Sequence, residues 1–126
     1  MDETDQIPAP LQRLFALVAG AFDVLEEMTG EEVALDLFFE EVEFEGEKPR
    51  LCLTVNDLVS AYHEDGRYTV VLTLVDSDEP HPWFVRESAE DAAAQVLRLL
   101  VDGGLITDED LTVMLPAVAI RARDEG

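Results

Sequence analysis

Lysine is almost missing from this 126-residue chain. Lys48 is the only one, beside seven arginines. Against these cations stand 29 aspartates and glutamates, for a formal net charge of −21. Phosphate backbones and anionic lipid surfaces are held by cations, so direct binding to nucleic acid or to a membrane is not expected. A basic protein surface is the expected partner. Two backgrounds give a lysine-poor, acidic composition: a GC-rich genome, which favours arginine codons, and a high-salt cytoplasm. Either leaves room for a specific acidic function.

Other scarcities remove whole classes of chemistry. Cys52 is the only cysteine, so no intrachain disulfide forms. Its place in the strand-like run LCLTV points to a buried, inert thiol. Ser60, Ser77 and Ser88 are the only serines, and none sits in a nucleophile elbow. His63 and His81, in YHEDG and DSDEPHPW, are the only histidines; each has carboxylates nearby, but no His-x-x-x-His or cysteine pair accompanies them. Asp76-x-Asp78 starts like a calcium loop and lacks the glycine and distal glutamate that complete one. Gly103-Gly104 follows a helical pattern where a phosphate loop would precede one. No run of apolar residues reaches membrane-spanning length. The acidic start MDETDQIPAP has no apolar stretch of the signal-peptide kind, so a cytoplasmic location is expected. No cofactor, no metal and no catalytic activity are expected.

What is present is a core. The hydrophobic share is 48%, enough for one globular domain over 1–126 with loose ends at about 1–6 and 123–126. After Pro8 and Pro10, Leu11, Leu14, Phe15, Val18, Phe22, Leu25 and Met28 recur at helical spacing, and Thr29-Gly30 ends the pattern. Gln12, Ala16, Ala19, Gly20, Asp23 and Glu27 occupy its less apolar side. Gly20 marks either the surface that lies flat on the protein's own sheet or a close approach across a dimer. Residues 33–44 fit a strand better than a helix, given the alternation of Glu41 to Glu45. A one-residue bulge near Glu40-Glu41 would keep Val42 and Phe44 on the face of Leu35, Leu37 and Phe39. LCLTV predicts a second strand, continuing through an irregularity at Asn56-Asp57 into LVSAYHE. Asp65-Gly66 predicts a hairpin turn into a strand from Tyr68 to Val75, and WFVR (Trp83 to Arg86) a short edge strand.

Ser88 with Asp91 opens a helix to about Asp102, whose polar stripe is Asp91, Gln95, Arg98 and Asp102. Thr107 with Asp110 opens a short helix ending at Pro116, after which AVAIRA (117–122) reads as a last strand. The expected fold is α+β: an antiparallel meander of three to five strands, packed on one face by an N-terminal helix and C-terminal helices.

Two acidic groups are the candidate partner-binding residues. Glu40, Glu41, Glu43, Glu45 and Glu47 alternate with apolar residues. Asp23, Glu26, Glu27, Glu31 and Glu32 close the first helix, where negative charge opposes the helix macrodipole. The expected function is that of a small, non-enzymatic acidic protein that binds a basic protein: an inhibitor, an immunity-type protein or a nucleic-acid mimic. The alternatives are a halophile-type domain with no special patch, and a dimeric chaperone or adaptor. The order of elements is broadly similar to that of small acidic secretion chaperones, which are dimers, and that likeness implies an apolar groove.

Overall fold

In a computed structural model of the chain, residues 7–30, 32, 35–42, 48–72 and 83–125 are described. A long helix, α1 (Ala9–Thr29), leads into five strands, β1 (Leu37–Val42), β2 (Arg50–Val55), β3 (Val59–Glu64), β4 (Arg67–Leu72) and β5 (Trp83–Arg86). Two helices, α2 (Ala89–Asp102) and α3 (Asp108–Glu125), follow. The strands form one sheet in the order β1-β2-β3-β4-β5, each neighbour antiparallel. The fold is the expected α+β meander with helices on one face.

The turn chemistry explains the meander. Asp65 and Gly66 both take positive φ (54° and 76°), the twist a two-residue hairpin needs. Asn56 and Asp57 do the same at 51° and 56°, and the Leu58 N–H closes the turn on the Val55 carbonyl at 2.9 Å. The stretch expected to run on through an irregularity is therefore a tight turn, and it divides two strands. Asn56 also fastens the edge. Its side-chain oxygen accepts the Asp36 N–H at 2.7 Å, and its own N–H donates to the Asp36 carbonyl at 2.9 Å.

β1 pairs with β2 residue for residue, from Leu37 opposite Val55 to Val42 opposite Arg50. The bulge expected at Glu40-Glu41 is absent, and Val42 falls on the face opposite Leu37 and Phe39. The regular register is tolerated because Glu41, though of helix-facing parity, stays exposed and its partner Leu51 is only half-buried. The helix layer has thinned out at that end of the strand.

Leu53, Val55, Val59, Ala61, Val70 and Leu72 meet Leu14, Leu17, Val18, Phe22 and Leu25 of α1 and Ala92, Ala93, Val96 and Leu100 of α2 in one core. Burying a large aliphatic or aromatic side chain of this kind stabilises by roughly 1.5–3 kcal/mol. The capping expectations hold: the Ser88 hydroxyl accepts the Asp91 N–H at 3.1 Å, and Thr107 and Asp110 exchange two bonds of 3.1 Å. Gln95 departs from its expected polar stripe. It is buried, because its side-chain oxygen accepts from Arg86 of β5 at 2.8 Å.

The last helix is the main correction. The helix runs through Pro116 to Glu125, so AVAIRA is helical and is not a strand. A proline in a helix removes one backbone donor, at a cost of roughly 3 kcal/mol. Burial offsets it: Met114, Val118 and Ala122 form a stripe at i, i+4 and i+8 against the core. Arg13 of α1 adds a bond from its guanidinium to the Ala122 carbonyl at 3.3 Å, which ties the two helices together near the end of α3.

Candidate binding groove between the first and last helices

Two further stripes lie beside the core and are not part of it. On α1 they are Gly20, Val24 and Met28, at i, i+4 and i+8. On α3 they are Val113, Pro116, Ala117, Ile120 and Arg121. Together they line an apolar groove of about 390 Å³. Met28 is 67% exposed and Ile120 59% exposed, although the periodicity of α1 placed Met28 on its inward face. Large apolar side chains this open to water are a cost unless something covers them. Trp83 (64%) and Val85, both on the edge strand β5, form the other apolar exposure among the described residues.

Gly20 does not lie flat on the protein's own sheet. It is buried, and a Cβ there would stand 2.8 Å from Cδ of Arg121. Within the chain, the close approach is to a side chain of α3 and not to the sheet. The absent side chain lets the arginine stem cross α1 at the boundary of the groove.

Beyond that stem the lining turns acidic. Asp23, Glu26 and Glu27 border an adjoining open recess with Gly20, Val24 and Arg121. α1 has no basic residue in its last turn, and the helix ends at Gly30 in the left-handed conformation (φ 73°). The negative end of the helix dipole therefore adds to the carboxylates. Asp23 and Glu27 are exposed and one turn apart, and Glu26 is half-buried. Glu32, just past the cap, is exposed, and Glu31 lies outside the described residues.

The other acidic group is only partly described. Glu40 and Glu41 sit on opposite faces of β1, as register demands. Glu40 accepts a bond from the Thr54 hydroxyl at 3.2 Å on the face away from the helices. Glu43, Glu45 and Glu47 lie outside the described residues.

Burial pushes the Cys52 thiol up to about 12, helped by the charge of Glu40 and opposed by Arg50. So high a value leaves almost no thiolate at neutral pH. His63 packs edge-on against the Tyr68 ring, centroids 4.7 Å apart, and His81 lies outside the described residues. Among the described residues, no three His, Cys, Asp or Glu side chains come together in a way that could hold a metal ion. Arg50 pairs with Glu64 across the splayed end of β2 and β3 and lies over the Tyr62 ring at 4.8 Å. Its hydrogen bond holds the Glu64 carboxyl below the usual range.

Sequence reasoning named the rim of the groove and missed its floor. Val24, Val113, Ala117 and Ile120 carried a signal, since each falls at helical spacing from its neighbours. For the α3 residues that signal was divided by reading a helix as far as Pro116 and a strand beyond it. No described helix is long and apolar enough to cross a membrane. No protein-family model, no curated protein and no solved structure matches the chain.

Proposed function

We propose that this protein acts by binding a basic polypeptide partner, without catalysis, in the groove between α1 and α3. The observation that carries the reading is the juxtaposition of Met28 and Ile120, both open to water, with the carboxylates of Asp23, Glu26 and Glu27. An apolar floor supplies affinity through burial, while a charged rim speeds encounter and rejects like-charged partners. With a net charge of −21, long-range attraction of a basic partner adds to the effect of the rim.

The test compares immobilised wild type with two charge-reversed variants, Asp23→Lys/Glu27→Lys and Glu40→Lys/Glu41→Lys, in an extract of the protein's own cells at low salt. Basic proteins retained by the wild type should be lost from the first variant and kept by the second. Equal retention by all three forms overturns the proposal. Loss from the second variant alone moves the site to β1.

The apolar floor also favours a second reading, a chaperone or adaptor that shields an amphipathic segment of its client. That reading requires a dimer, so sedimentation showing a monomer counts against it.

A further inference from the structure

We infer that the segment held in this groove is an α-helix of about two turns, apolar along one side and basic along the next. The inference rests on the binding role proposed above and specifies what that role takes as its ligand.

Three features lead there. The first is backbone satisfaction. Both walls are helices, whose N–H and C=O groups are paired along their own axes except for the one bond that Pro116 removes. An extended peptide laid on this apolar floor would find no ladder to join, and its own backbone groups would be buried without partners. A helical segment arrives with those bonds made.

The second is length. Gly20 to Met28 and Val113 to Arg121 each span eight steps, or about 12 Å of helix, which matches about two turns of an occupant. Apolar side chains at i, i+4 and i+7 of such a helix would meet Val24, Met28, Pro116 and Ile120.

The third is charge. Arg121, held across Gly20, marks the line where the apolar floor gives way to Asp23 and Glu27. Lysines or arginines on the flank of the incoming helix reach those carboxylates. The negative end of α1 points the same way, with no basic residue in its last turn to offset it. A second copy of this chain is disfavoured as occupant, since it would bring its own −21 and its own Asp23, Glu26 and Glu27 against the same rim.

The experiment uses the full chain and three synthetic peptides of about 14 residues, enough for two turns with flanking residues. They share one composition of leucine, lysine, arginine, alanine and glutamine. One places leucines at i, i+4 and i+7, one alternates them with polar residues, and one is scrambled. Fluorescence anisotropy gives affinity, and circular dichroism of the mixture gives helix gained on binding.

The first peptide should bind at least about tenfold more tightly than the others and gain helicity. Met28→Gln/Ile120→Gln, which changes exposed positions to another helix-forming residue, should weaken it by about tenfold or more. Asp23→Asn/Glu27→Gln should weaken it and flatten its salt dependence. Equal binding of the alternating peptide overturns the helix inference, as does undiminished binding to the Met28/Ile120 variant. Binding of none of the peptides overturns it too. In each case the basic-partner role is judged separately, by the retention experiment above. A wild-type dimer that the Met28/Ile120 variant disperses would place a second copy in the groove and overturn the inference.

Discussion

Replacing Glu27 by lysine should stabilise the fold while removing partner capture. Glu27 is exposed in the last turn of α1, where the helix has no cation and ends at Gly30. A charge of the right sign at this position contributes about 0.3–1 kcal/mol, so reversing a wrong one changes the balance by about twice that. Asp23 lies one turn back. The substitution removes a like-charged i,i+4 pair and creates an acid-to-lysine pair in the favourable order, each worth about 0.2–0.5 kcal/mol. Both carboxylates face water, which puts the net gain near the bottom of the summed range, at about 1 kcal/mol. For a domain of this size that corresponds to a rise in Tm of about 3–6 °C. Thermal unfolding followed by circular dichroism at low ionic strength measures it. At about 0.5 M salt most of the gain should vanish, because surface charges are then screened within a few ångströms. An unchanged or lower Tm at low salt would refute the reasoning, since it would mean that Glu27 is held by favourable interactions in the native fold. A stabilised variant that has also lost its basic partner would show that the acid occupies this turn against the interest of stability.

Two further perturbations test the scaffold. With its pKa near 12 in place of the ordinary 9.0, Cys52 should carry roughly a thousandfold less thiolate at pH 8, so native alkylation should be slower than in urea by at least that factor; comparable rates would contradict the burial. Folding favours the neutral thiol, so its stabilisation is whole below pH 9 and is lost as pH climbs from 9 towards 12; urea midpoints of wild type and Cys52→Ala should draw together only above pH 9. Asn56→Ala loses the bond to the Asp36 N–H and places alanine at φ 51°, which should cost about 1–3 kcal/mol by urea unfolding. Asn56→Gly should recover the backbone part of that loss and leave the hydrogen-bond part; full recovery by glycine would show that the side-chain bond contributes nothing.

The parts of the fold that were legible in the sequence are those fixed by local chemistry. Asp65-Gly66 can make few turns other than a hairpin, and the Ser88/Asp91 and Thr107/Asp110 pairs satisfy orphan helix donors within a single turn of chain. Asn56-Asp57 carries the same preference for positive φ as Asp65-Gly66, but without glycine the signal is weaker. Its reading as a turn rests on Asp36, twenty residues away, which uses the Asn56 side chain. Gln95 likewise looked like a surface residue until Arg86 of β5 supplied its partner. In both cases the deciding interaction is tertiary.

Pro116 explains why the groove was hidden. A proline after a short amphipathic run is a sound local reason to end a helix. Here the continuation is held by burial of Met114, Val118 and Ala122, a gain that appears only once α1 and α2 are in place. Ending the helix at Pro116 separates Val113 from Ala117 and Ile120, and the α3 wall disappears from view. The acids were visible because charge can be counted without a fold, and the count could not tell a diffuse surface from a rim. Register then separates Glu40 from Glu41, which adjoin in the chain and face opposite ways across the sheet. Helical spacing instead draws Asp23 and Glu27 onto one side, beside the apolar floor that α3 completes. A charge cluster becomes a candidate site through what it borders, and the continuity of α3 supplies that border.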